Sequence, residues 1–130
     1  MNHLRVEWLE AEVYKLQSRR LWAAPRFRKV QAGFMTAGSP LDAALAGLSL
    51  AEMYLELEDS AAAADLADEL IPIFQSRGIH REATAAGLIV LEALRRETAT
   101  LGQIQDLVER LRRLRGQQGS PLQISSLPLE

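Results

Sequence analysis

Apolar residues recur at every third or fourth position through most of this chain, and turn-forming residues interrupt them at nearly even intervals. That rhythm predicts six helices. The first, about Asn2–Arg19, carries Val6, Leu9, Val13 and Leu16 at helical spacing, with Trp8, Ala11 and Tyr14 widening the apolar face. The second is expected to begin near Pro25, which suits a first turn because its missing N–H would be unpaired there anyway. Phe27, Val30, Phe34 and Met35 form its face, and Gly38 supplies a left-handed stop. A third helix is expected from a Ser39 cap through Pro40, with Asp42 completing a short capping box, and Leu45, Leu48, Tyr54 and Leu55 carry it to about Leu57. The fourth is capped by Asp59 or Ser60 and runs through Leu66, Leu70 and Phe74. Pro72 should bend it and Gly78 end it. The fifth covers about His80–Glu97. The sixth starts at the Thr100/Gln103 capping box and runs to about Arg115. From Gly116 the composition turns to Gly, Gln, Ser and Pro. Residues 1–116 are therefore read as one helical domain and 117–130 as a mobile tail, with Leu129-Glu130 set aside as a candidate cloning remnant.

The helices repeat in pairs. Phe34 matches Phe74, Gly38 matches Gly78, Ala43 matches Ala83, Gly47 matches Gly87 and Leu48 matches Leu88, a period of about forty residues. Trp8, Ala11, Glu12 and Tyr14 fall in the same way on Leu48, Ala51, Glu52 and Tyr54. Such a period marks an array in which each unit buries its apolar face on the next. Gly47 and Gly87 sit inside helices, where each costs roughly 0.5–1 kcal/mol relative to alanine, so close helix–helix contact is expected at both.

The middle unit resembles the tetratricopeptide pattern. Leu50-Ala51, Tyr54 and Leu57 mark its first helix, and Ala63 and Ala67 its second. Trp8, Ala11 and Tyr14 keep the pattern in the first unit, and Leu88 and Leu94 in the third, where Leu91 replaces the small residue. The resemblance spans about residues 5–115, with a period longer than the family's usual one. A narrower likeness joins Gly33-Phe34, Asp42-Ala43-Ala44-Leu45, Leu55-Glu56-Leu57, Ile71-Pro72-Ile73-Phe74 and Gly78-Ile79-His80-Arg81-Glu82-Ala83. That series is similar to the C-terminal helical tails of multidomain bacterial proteins, some of which carry an N-terminal zinc-binding module. This chain has no cysteine, so such a module is absent, and the likeness implies a fragment or a short relative. The resemblance implies an all-α fold, a right-handed superhelix of three antiparallel helix pairs. It also implies a concave groove lined by the first helix of each pair. The groove residues would be Arg5, Trp8, Glu12 and Lys15 from unit one, Leu45, Leu48, Glu52 and Leu55 from unit two, and Leu88, Glu92, Arg95 and Arg96 from unit three. They would dock a peptide or an amphipathic helix. The family's carboxylate-binding version needs asparagine on these helices, and only Asn2 is present.

Composition narrows the function. Of 130 residues, 48% are hydrophobic but only 5% aromatic, so a core of alanine and leucine is expected. No apolar run reaches the length of a membrane span and the start does not read as a signal peptide, which favours a cytoplasmic location. Charge is unevenly spread. Lys15, Arg19, Arg20, Arg26, Arg28 and Lys29 form a block without carboxylates, and residues 40–76 carry carboxylates without a cation. The basic block, interleaved with Trp22 and Phe27, supports an alternative reading as a nucleic-acid-binding patch, against which the pI of about 5.7 argues. Glu12, Glu52 and Glu92 repeat with the array, and local pairing of Glu12 with Lys15 and of Glu92 with Arg95 accounts for two of them. His3 and His80 are far apart, no glycine-rich phosphate loop occurs, and no catalytic, metal or cofactor constellation is found. The expectation is a non-enzymatic module that binds protein through the first helices of its units or self-associates through its ends, with a homodimer among the outcomes.

Overall fold

The computed structural model describes residues 2–76 and 78–119, which form six α-helices: α1 (Asn2–Leu16), α2 (Arg20–Thr36), α3 (Pro40–Glu56), α4 (Ser60–Phe74), α5 (Arg81–Arg95) and α6 (Leu101–Gly119). Among the described residues there is no strand, and the chain is all-α. The last helix runs past the expected boundary to Gly119, and the remainder of the anticipated tail lies outside the described residues.

Four of the connections share one geometry. Ser18, Gly38, Glu58 and Glu97 adopt φ of 60°, 79°, 58° and 59°. At each, the left-handed residue donates its N–H to the carbonyl three back, and the next residue donates to the carbonyl five back. Gly38 reaches Met35 and Ser39 reaches Phe34; Glu58 reaches Leu55 and Asp59 reaches Tyr54. This is the Schellman closure, which satisfies the orphan carbonyls of a helix end. Glycine announced it at position 38 alone.

The closure at Ser18 corrects two expected boundaries. α1 stops at Leu16, and α2 starts at Arg20, so Pro25 lies inside the helix. Pro25 and Leu21 are both exposed, so water can serve the Leu21 carbonyl that loses its helical donor. Pro72 is likewise inside α4, which continues to Phe74. Caps follow the sequence in part. Asp59 accepts from the Ala62 N–H at 3.1 Å, and Thr100 and Gln103 exchange hydrogen bonds of 2.9 and 3.2 Å. Ser39 makes no side-chain cap bond, and the Asp42 carboxylate is turned to arginines from other helices and does not complete a capping box. Gly78 is a point of close approach: a Cβ there would strike the ring of Pro40.

The core is centred on α3. Every residue from Leu41 to Met53 is buried. α3 packs on α2, α4 and α6, and consecutive helices pack on each other along the whole chain. Gly47 lets α3 approach Leu70 of α4, and Gly87 lets α5 approach the Phe74 ring, as their mid-helix positions led us to expect. The contact between α6 and α3 has no place in an open linear array, where a sixth helix would meet only its immediate neighbours. Here α6 packs back on α3.

Candidate interaction surface

Helix α1 is apolar on two sides and the fold covers one. Leu4 and Ala11 are buried, with Glu7, Trp8, Tyr14 and Lys15 half-buried beside them. Leu4 fits over Gly33 of α2, and the Trp8 ring meets Phe34 edge-on with centroids 5.3 Å apart. On a heptad wheel, Leu4 and Ala11 lie opposite the seam formed by Val6 and Val13 at a and Leu9 and Leu16 at d. That seam is turned to solvent: Val6 is 57% exposed, Leu9 65%, Val13 48% and Leu16 83%. The stripe whose period predicts the helix is thus not the face that the chain buries. The inward side wins because small residues on both helices (Ala11, Gly33) allow close approach, and because two aromatic rings bury more area than the aliphatic seam would.

Polar ties fix α1 beside α3. Lys15 Nζ meets Glu52 Oε1 at 2.9 Å and Ser49 Oγ donates to Glu12 Oε2 at 3.4 Å, each across 37 residues of sequence. Arg5 lies 4.0 Å from Asp42 at the same offset. A constant offset means two parallel helices side by side. Arg115 of α6 closes the set. Its guanidinium pairs with Asp42 and sits 5.8 Å from the Trp8 ring centroid. Buried Asp42 is therefore held by arginines from two other helices.

The twelve residues anticipated for a groove part into three groups. Arg5, Trp8, Glu12 and Lys15 do come together, lining an open cleft of 680 Å³ that they share with Arg112 and Arg115 of α6. Leu45, Leu48 and Glu52 are interior, each less than a tenth exposed, and Leu55 is half-buried. The chain's own α6 occupies the space over α3, so these three offer no free surface. Leu88 and Glu92 are half-buried and Arg95 and Arg96 exposed on α5, remote from the α1 cleft. Glu92 binds Arg96 at 2.8 Å and Arg95 at 3.4 Å, the local pairing expected for it. Glu12 departs from that expectation, since Lys15 reaches across to Glu52 instead.

The uneven charge has an internal use. Of the basic block, Lys15 pairs with Glu52, Arg20 with Glu56, Arg28 with Glu69 and Lys29 with Glu7, at 2.7–3.3 Å. Arg26 lies 4.7 Å from the Tyr14 ring centroid and donates to the Trp22 carbonyl. Most of these partners come from the acidic stretch. The hydrogen bond that Arg28 donates to Glu69 raises the Arg28 pKa, and that from Lys29 holds the Glu7 carboxyl below its ordinary 4.5. Among the described residues no group of His, Cys, Asp or Glu could hold a metal ion, and no helix is long and apolar enough to cross a membrane.

The surface that sequence reasoning missed is the α1 seam itself. Its signal was present: a helix with two apolar faces needs a cover on both. Comparison with protein-family models, curated proteins and solved structures found no match for this chain.

Proposed function

We propose that this chain is a non-enzymatic protein-interaction module, a short tetratricopeptide-like stack of three helical hairpins that engages its partner along α1. The observation that carries the reading is the exposed seam of Val6, Leu9, Val13 and Leu16, all four on one face of the first helix. Four large aliphatic residues in line on a surface otherwise rich in charge mark a docking site for another helix. The α3 face, where the array pattern alone would put the groove, is filled by α6 and is assigned no partner. Lys15, Arg20, Arg28 and Lys29 are engaged in ion pairs, which leaves nucleic-acid binding without the free basic patch it requires.

The test is affinity capture from the native cell extract, with wild type beside a Leu9→Glu, Val13→Glu variant. Both substitutions are at exposed positions, and circular dichroism checks that the helices remain. Loss of the captured protein in the variant supports the reading. The same catch from both proteins overturns α1 as the docking face.

A further inference from the structure

The geometry points to a second copy of this chain as the occupant of the α1 seam, the two α1 helices lying parallel about a two-fold axis. This rests on the reading of α1 as the docking face and names its partner. The seam has the 3–4–3 spacing of a two-stranded coiled coil, with β-branched valine at both a positions and leucine at both d positions. That is the combination that favours parallel dimers. Because Leu4 and Ala11 are diametrically opposite, nothing on the buried side of α1 would need to move, and the second helix would lie beside the cleft that Leu9 and Leu16 share with Arg112 and Arg115 of α6.

Flanking charges choose both the partner and the direction. Within α1, which ends at Leu16, the e positions are His3 and Glu10, and the g positions are Arg5 and Glu12. In a parallel pair each g residue faces the e residue five positions on in the other chain. Arg5 then meets Glu10 of the copy, twice by symmetry. Glu10 is exposed and Arg5 half-exposed, held only by the 4.0 Å contact to Asp42, so both are free to turn outward. In an antiparallel pair with Val6 opposite Leu16, g faces g and e faces e. Glu12 would then oppose Glu12 and Glu10 would oppose Glu10, both like-charge contacts. The helix is self-complementary in one direction and self-repelling in the other.

The absence of cysteine from the chain gives a clean test of direction. The full chain is examined by sedimentation equilibrium from about 1 to 500 μM, since a seam of four residues a side is at the small end of stable interfaces. A reversible monomer–dimer equilibrium is expected. Leu9→Glu, Val13→Glu should weaken it by more than about 100-fold, and Glu10→Lys by about fivefold, the size of two exposed ion pairs. Mixing Glu10→Lys with Arg5→Glu should favour the heterodimer over either homodimer. Val6→Cys and Leu16→Cys, each alone under a mild oxidant, should form symmetric disulfide-linked dimers. In the antiparallel arrangement like positions near the helix ends are about 15 Å apart along the axis, and only the mixture of the two variants would cross-link. Cross-linking of the mixture alone overturns the parallel pair. A dimer unaffected by Leu9→Glu, Val13→Glu places the contact elsewhere and overturns the inference. A monomer throughout the range overturns self-association, while capture of another protein through α1 would still stand.

Discussion

Glu58 occupies the left-handed backbone conformation that glycine holds at position 38, another of the four helix closures. Its φ of 58° brings Cβ near the following carbonyl, a cost of about 1–2 kcal/mol for an L-residue. Its side chain is exposed, so little else is lost on truncation. Glu58→Gly is therefore expected to stabilise the chain by about 1 kcal/mol, read as a higher urea midpoint at unchanged m-value. Gly87 illustrates the opposite case. Alanine would gain about 1 kcal/mol of helix propensity, but its methyl would strike the stiff Phe74 ring inside a fully buried contact. Overpacking of that kind costs about 1–3 kcal/mol, so Gly87→Ala should lower the urea midpoint. The sequence declared the need for closeness at position 87, because a mid-helix glycine is costly without it. It gave no sign at Ser18, Glu58 or Glu97, since those left-handed turns are imposed by hydrogen bonds to residues in the preceding helix and do not depend on glycine.

Among the elements, α1 and α6 are tied to the core by charges with specific partners. Glu7 of α1 accepts a 2.7 Å hydrogen bond from Lys29 of α2, which holds its carboxyl below the ordinary 4.5. A depressed carboxyl contributes stability that is complete above the unfolded value and is lost as pH falls through the folded one. Stability should thus decline below about pH 4.5, and Lys29→Met should flatten that part of the acid titration of the urea midpoint by lowering the midpoint slightly at neutral pH while leaving it nearly unchanged in acid. α6 is fastened by Arg115 to Asp42 and by Ile104 and Leu111, both fully buried. Leu111→Ala is expected to cost about 2–5 kcal/mol in urea unfolding. The six helices were legible from periodicity and the α6 start from its capping box. The start of α2 was misread because Pro25 is usually a first-turn residue, and nothing nearby announced that an exposed position would tolerate it five residues in.

For the whole molecule, the decisive contact is that of α6 on α3. It moves Leu45, Leu48 and Glu52 from a prospective groove into the core, and leaves α1 with an uncovered apolar side. Leu48→Arg tests this directly. In an open groove it would leave the fold intact and abolish binding. With α6 in place it buries an unpaired charge, and the expected result is a loss of about 4 kcal/mol or more, seen as partial or complete unfolding by circular dichroism. The candidate site was legible in fragments. Arg5, Trp8, Glu12 and Lys15 share a cleft as their common helix face requires, but Arg112 and Arg115 join them from a part of the sequence that gives no hint of α1.

Composition and periodicity alone determined that this chain is helical, where most helices lie, and that Gly47 and Gly87 mark close helix approaches. These are local properties, set by the spacing of apolar side chains along one helix. Which side of α1 faces inward, which carboxylate each cation meets, and whether α3 is open or enclosed depend on residues far apart in sequence competing for the same space. α1 offers two apolar faces of comparable strength, so its own sequence cannot rank them. Only the packing of Leu4 over Gly33, of Trp8 on Phe34, and of α6 across α3 selects the face that remains for a partner.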